Sequence, residues 1–369
     1  MKTPIHAAHG CEATDRLRRL GWNEHFDGLM TNPGFDPDRV ARVVSAQRDL
    51  FLVADGRAEW ICTPSGKLRR ARREDYPVTG DWVIVDESVV QRVLPRRNTL
   101  RRGEAGSRGK QDGAAPREQP IAANLDTVLI VSGLDRDYNP RRLERYLALV
   151  YNCGMTPVIV LTKADLLDCP DAFRAEAEAV APGVPVVLTS TVDGSGAEGL
   201  HGYLGPGRTA AMIGSSGAGK SSLANMLLGH DVRATAAVSR SVGKGRHTTT
   251  SRELIAMPQG GLLMDNPGIR EIAFAGDGAG LDAAFADILE LAESCRFADC
   301  THRHEPGCAV LRAVDTGILP PERLDNYRKM QREMDYVRAR SEKSADYVEK
   351  ERWRDRAMEI RRITKRGKR

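Results

Sequence analysis

The chain has 369 residues, 41% of them hydrophobic and 28% charged, with a formal net charge of +5. This is the make-up of a soluble globular protein large enough for two or three domains. It contains no apolar run of about 18 residues, which excludes a membrane-spanning helix, and Met1-Lys2-Thr3-Pro4-Ile5-His6 lacks the apolar core of a signal peptide. A cytoplasmic location, with no membrane partner, is therefore expected. Seven cysteines are an odd number, and three cluster late with histidines, which suits a reduced compartment and a metal better than disulfides. Arginine is dense from Arg57 to Arg102 and again after Lys350, as in chains that meet a polyanion.

Residues 1–35 read as an N-terminal extension with one short amphipathic helix, its apolar face formed by Leu17, Leu20, Trp22 and Phe26. Residues 36–119 carry short alternating strands: Arg42-Val43-Val44, Asp49 to Val53, Ala58 to Cys62 and Asp81 to Val85, broken at Asp55-Gly56, Ser65-Gly66 and Thr79-Gly80-Asp81. About five such strands predict a small closed β-barrel of the OB-fold type. Its loops bear Lys67, Arg69, Arg70, Arg72, Arg73, Arg96, Arg97, Arg101 and Arg102, with Trp60, Tyr76 and Trp82 interleaved. On one face these would serve a single-stranded nucleic acid, although each Trp fits a barrel core as well. Residues 103–119 read as a basic linker or loop.

Residues 120–275 alternate buried strands and helices, the pattern of a parallel α/β sheet. Strands are expected at Asp126 to Ser132, Pro157 to Leu161 and Val184 to Leu188, and a helix from Asn139 to Cys153. Thr162-Lys163-Ala164-Asp165 follows the second strand. A carboxylate at Asp165 can accept both N1–H and N2–H2 of guanine, a donor pair that adenine lacks, while the aliphatic stem of Lys163 would lie along the base. Thr162-Lys163-Ala164-Asp165 thus resembles the base-reading signature of guanine-specific GTPases, and Ser190, within Thr189-Ser190-Thr191 after the next strand, sits where a loop in such GTPases contacts the guanine carbonyl.

An apolar run, Ala210 to Ile213, then leads into Gly214-Ser215-Ser216-Gly217-Ala218-Gly219-Lys220-Ser221-Ser222 and a helical stretch from Leu223. This is G-x-x-x-x-G-K-[ST] between strand and helix, the phosphate-binding loop. Its N–H groups would cradle the phosphates at a helix N-terminus. Lys220 would reach the β- and γ-phosphates and Ser221 would ligate Mg²⁺. Gly243-Lys244-Gly245-Arg246-His247-Thr248-Thr249-Thr250 follows. There Thr250, with Thr249 as the alternative, would complete the Mg²⁺ shell as a switch. Asp265-Asn266-Pro267-Gly268 closes the next strand; Asp265 would hold Mg²⁺ through water and the Gly268 N–H would meet the γ-phosphate. The residues after Gly268 are Ile269 and Arg270, so the glutamine that orients water in Ras-like enzymes is missing. Hydrolysis of GTP to GDP and phosphate should then be slow without a partner, and His247 is the candidate for positioning the water.

The base-reading tetrapeptide precedes the phosphate loop, an order that amounts to a circular permutation. With T-K-x-D, G-x-S-G-x-G-K-S-S, G-R-H-T-T-T and D-x-P-G in that order behind a small barrel, the chain resembles the small ribosomal subunit biogenesis GTPases, the RsgA/YjeQ family. The resemblance implies a monomeric, multidomain GTPase: an N-terminal OB-fold β-barrel, a central circularly permuted α/β P-loop GTPase and a C-terminal α-helical zinc-binding domain. It also implies docking on the 30S subunit and its 16S rRNA.

Residues 276–340 contain Cys295, Cys300, His302 and Cys308 as C-x4-C-x-H-x5-C. Three thiolates and an imidazole make a closed, structural zinc site. His304 is a possible ligand in place of His302, and the family pattern favours His302. Helices are expected near Leu281 to Glu293 and Pro321 to Arg340. Residues 341–369 form a basic tail, readable equally as a solvated helix or an RNA-binding extension.

Overall fold

A computed structural model describes residues 6–32, 34–103, 118–229, 252–265 and 278–342. The chain divides into two compact units. One comprises Met1–Arg101 and Pro120–Arg270, the other Arg102–Gln119 and Glu271–Arg369.

The first unit begins with two helices, α1 (His6–Arg19) and α2 (Glu24–Met30), where one was expected. The Asn23 side chain caps α2 by accepting from the His25 N–H. Leu17, Trp22 and Phe26 are buried together with Val40, Trp82 and Leu94. Trp22 meets Trp82 edge-on at 5.0 Å, so the extension is packed as part of the core.

The barrel strands are β1 (Val40–Gln47), β2 (Leu50–Ala54), β3 (Glu59–Pro64), β4 (Trp82–Asp86) and β5 (Val89–Val93), with helix α3 (Gly66–Arg69) between β3 and β4. They pair in the order β1-β2-β3-β5-β4, and β4 returns to β1, so the barrel closes and no edge is left open. The pairing of β3 with β5 is parallel and the others are antiparallel, which is OB-fold topology. Alternating residues Val43, Phe51, Val53, Cys62, Val83, Val85 and Val90 fill it.

β6 (Thr99–Gly103) and β7 (Glu118–Ala123) form a two-stranded sheet around the segment expected as linker. Then follow β8 (Thr127–Gly133), α4 (Pro140–Asn152), β9 (Thr156–Thr162), α5 (Pro170–Val180), β10 (Val186–Leu188), α6 (Glu198–His201), β11 (Thr209–Ile213), α7 (Lys220–Leu228), β12 (Glu253–Ala256) and β13 (Leu262–Asp265). The sheet order is β10-β9-β8-β11-β13-β12, parallel except for β12 against β13. Every residue of β8 and β11 is buried, as strands covered on both faces must be. The strand leading into the phosphate loop, β11, lies between β8, which precedes it in sequence, and β13, which follows it.

The sheet continues from β12 into the barrel through Ser45 opposite Glu253. Arg42, wholly buried on β1, secures this seam. It donates to the carbonyls of Leu20, Gly80 and Asn124 and to the Thr209 hydroxyl, and burial lowers its pKa to about 10. The N-terminal helices, the barrel and the first residue of β11 thus share one buried cation.

The second unit holds α8 (Ala279–Ala284), α9 (Ala286–Ala292), α10 (Ala309–Asp315) and α11 (Pro321–Glu342). Buried Arg323 on α11 forms a two-point ion pair with Asp287 (2.7 and 2.6 Å) and lies over the Phe285 ring. Phe285 packs on Tyr327, so these helices have a small core of their own.

Candidate functional site

In an open α/β sheet, ligands gather at the carboxyl ends of the strands. Here the loops after β8, β9, β10 and β11 meet at that end. Gly214 leaves β11 with φ 151°, and a Cβ there would lie 2.2 Å from the Val131 carbonyl oxygen on β8. Only glycine lets the loop turn this close to its neighbour. Gly219 caps α7 in the left-handed region. Ser216, Gly217, Ser221 and Ser222 are exposed, whereas Ala218 is buried beneath the loop. The Lys220 ammonium donates to the Gly214 carbonyl at 2.8 Å and also to that of Ser215, which holds a positive charge across the loop.

The T-K-x-D segment is tied to this loop at successive carbonyls. Buried Thr162 donates from Oγ1 to the Ala218 carbonyl at 2.6 Å. Lys163, itself left-handed at φ 63°, donates to the Gly217 carbonyl at 2.7 Å and pairs with Asp135 at 2.5 Å. The Ala164 N–H bonds the Thr189 carbonyl. Asp165 is exposed, and its Oδ1 accepts from the buried Ser190 hydroxyl at 2.6 Å. That bond orients the carboxylate and leaves Oδ2 for a ligand. Thr162, Lys163, Asp165, Ser190 and the Gly214–Lys220 loop therefore converge, with Thr162 spending its hydroxyl on the loop itself. Asp265 ends β13 beside β11. His247, Thr249, Thr250 and Gly268 lie outside the described residues.

Two contributors went unnoticed in the sequence, Asp135 and Asp137, on the turn after β8. Asp137 accepts from the Ser215 hydroxyl and pairs with Arg142. Their signal was modest: acidic residues two and four positions past the end of a wholly buried strand, at the end of the sheet where ligands bind.

On the barrel, Lys67, Arg70 and Arg72 line an open hollow of about 740 Å³ beside Gly66, Ala71 and Asp75. Arg96 and Arg97 do not share that surface. Arg96 makes a two-point bond to buried Asp81, and Arg97 pairs with Asp126. Trp82 is a core residue, and Trp60 donates from its indole to the Glu87 carbonyl.

In the second unit the ligand atoms of Cys295, Cys300, His302 and Cys308 lie within 4.8 Å of one another. Cys295 Sγ is 3.8 Å from Cys308 Sγ and 3.6 Å from His302 Nδ1, and Cys308 Sγ is 3.5 Å from that nitrogen. A tetrahedral zinc bound at usual lengths needs S···S edges of about 3.8 Å and S···N edges of about 3.5 Å. The sulfurs of Cys295 and Cys308 also accept N–H bonds from Ala309 and Leu311, respectively. Burial lowers the pKa of His302, favouring the neutral imidazole that ligation requires. The donor set fits a metal ion, and the imidazole within it is that of His302. Glu305 organises the turn by accepting from the backbone N–H groups of Thr301, Arg303 and His304 and from the Thr301 hydroxyl.

A family model described as RsgA GTPase matches residues 93–275. A Methanosarcina acetivorans protein named small ribosomal subunit biogenesis GTPase RsgA is 45% identical over 94% of this chain and 92% of its own length. This chain belongs to the RsgA GTPase family. It is accordingly a GTP-hydrolysing enzyme. Another RsgA, from Syntrophotalea carbinolica, is 42% identical over 90% of this chain and 94% of its own. The crystal structure of YjeQ from Thermotoga maritima superposes with a TM-score of 0.57 at 29% identity, covering 79% of this chain and 96% of that one. YloQ, described as a circularly permuted GTPase, gives 0.56 at 26% identity over 80% and 94%. The permuted order read from the motifs is thus the family's architecture.

Proposed function

We propose that this RsgA-family GTPase acts in biogenesis of the small ribosomal subunit. In its GTP-bound form it docks on the 30S particle, assists or checks late maturation of the 16S rRNA, and leaves after hydrolysis. The observation that carries this reading is the 45% identity, spread over nearly the whole chain, to a relative named for that process. The basic hollow on a barrel continuous with the GTPase sheet supports an RNA partner. GTPase assays with isolated 30S and 50S subunits test it: stimulation by 30S is expected, and stimulation by 50S alone would sink it.

In this reading Lys163 and Asp165 take the guanine base, with Ser190 orienting the carboxylate and Ala164 held beside them. The loop Gly214, Ser215, Ser216, Gly217, Ala218, Gly219, Lys220, Ser221 and Ser222 wraps the phosphates. Ser221 and Thr250 would hold Mg²⁺, with Asp265 behind it through water. The ion supplies positive charge to the β- and γ-phosphate oxygens. Lys220 and the Gly268 N–H add to that neutralisation. His247 positions the attacking water, because Ile269 and Arg270 offer no amide. Unchanged subunit-stimulated turnover in His247→Ala, with nucleotide binding intact, would remove that role.

Cys295, Cys300, His302 and Cys308 hold one structural zinc, which replaces core that so short a knuckle cannot build. The protein works as a cytoplasmic monomer. A Thr250→Ala variant separates a switch cycle from simple RNA binding: trapping on the 30S subunit supports the cycle, and normal release refutes it.

A further inference from the structure

The turn after β8 makes contacts that the established activity does not explain. The Leu134 N–H donates to the Thr162 carbonyl, which fastens this turn to the end of β9. Asp135 then uses both carboxylate oxygens. Oδ1 accepts the Asp137 backbone N–H at 3.0 Å, and Oδ2 accepts the Lys163 ammonium at 2.5 Å. The first bond fixes the carboxylate within its own turn, so the second fixes the lysine. The same ammonium reaches the Gly217 carbonyl at 2.7 Å. Gly133 leaves room for this contact. A Cβ there would lie 3.0 Å from Asp135 Oδ1 and 3.4 Å from Cε and Nζ of Lys163.

A lysine carries four flexible methylenes and about 2 kcal/mol of rotamer entropy. Lys163 is about 30% exposed, so without an anchor its stem would sample solvent. Packed along the base, that stem would lose this freedom on binding. Anchored in advance by Asp135 at one side and Gly217 at the other, it has already lost it. The anchor also neutralises the ammonium away from the phosphates. A base-packing lysine held by its head group is pre-organised for any nucleotide sharing that base, whatever the phosphate count.

We propose that Asp135 is the positioning residue for Lys163, and through it sets the affinity of the site for guanine nucleotides, GTP and GDP alike. The inference rests on reading the T-K-x-D segment as the guanine site. The test is titration of fluorescent GDP and of a non-hydrolysable GTP analogue into the full chain, for wild type, D135A, D135N, K163A and D135A/K163A. Because the pair is partly exposed, D135A should bind both nucleotides about fivefold more weakly, and in GTPase assays the loss should appear in KM rather than in kcat. D135N keeps one accepting oxygen and should lose less. On the K163A background D135A should cost nothing further, since it has no lysine to position. Costs that multiply in the double variant overturn the proposal, as does D135A binding like wild type. K163A with unaltered affinity would instead overturn the guanine-site reading itself, so the two failures are distinct.

Discussion

Two alanine substitutions in one loop should differ sharply, and the difference follows from what each Cβ would meet. At Gly217, φ is 88° and nothing lies within 4 Å of an added Cβ. Gly217→Ala therefore costs the left-handed backbone strain alone, about 1–2 kcal/mol. At Gly214 the added carbon would lie 2.2 Å from the Val131 carbonyl oxygen. That oxygen belongs to a strand paired with β11 through Ala210–Thr127, Ala211–Val128, Met212–Leu129 and Ile213–Ile130, so relief requires two buried strands to move apart by about 1 Å. Overpacking of this kind costs about 1–3 kcal/mol or more, and backbone strain adds about 1–3 kcal/mol. The expected total of about 2–6 kcal/mol is a large part of the 5–15 kcal/mol typical of a domain. At mid-range values and about 3 °C per kcal/mol, Gly217→Ala should melt about 4 °C below wild type and Gly214→Ala about 12 °C below it. Circular-dichroism melts of nucleotide-free protein measure both. Variants melting within about 2 °C of each other would refute the argument, because it assigns the cost to the neighbouring main chain and not to the loop.

Thr162→Val keeps the side-chain volume but leaves the buried Ala218 carbonyl without its 2.6 Å bond. It should lose about 1–2 kcal/mol, read by urea denaturation. Glu305→Ala removes four hydrogen bonds around His302. It should speed metal loss to a chelator about 10–100-fold, followed by a colorimetric zinc reporter. The Tyr76 hydroxyl, shielded by burial and bonded to Asp49, has its pKa pushed up to about 12. Being raised on folding, that pKa implies a contribution fully present below the usual 10 and lost as pH rises toward 12. Tyr76→Phe should therefore flatten the alkaline limb of a stability–pH curve between those values.

Much of the nucleotide site was legible because it is built from short contiguous motifs. The loop from Gly214 to Ser222 and the segment from Thr162 to Asp165 each announce their chemistry by spacing, and strand β8 announces its burial by an unbroken apolar run. The barrel was legible from alternation. What escaped notice depends on partners far apart in the chain. Arg42 looks like any arginine until Leu20, Gly80, Asn124 and Thr209 surround it. Arg96 and Arg97 counted toward a basic surface, but Asp81 and Asp126 claim them. Trp22 was placed on a helix face, whereas it lies between two helices against Trp82. Asp135 had no motif at all, since its role exists only once β8 and β9 are neighbours.

The position of β11 within the sheet also bears on how the chain is made. Translation delivers β8, β9 and β10 first, and the barrel strands up to Val93 earlier still, so the barrel has all five of its strands early. The strand that carries the phosphate loop emerges next, but one of its two neighbours, β13, ends only at Asp265. A nascent chain halted before Leu262 would have every residue of the loop and a slot open on one side of it. Nucleotide competence thus waits until 43 residues after the loop itself has been synthesised (265 − 222), an interval read from the positions of Ser222 and Asp265 in the chain and roughly 2–9 s long at about 5–20 residues per second.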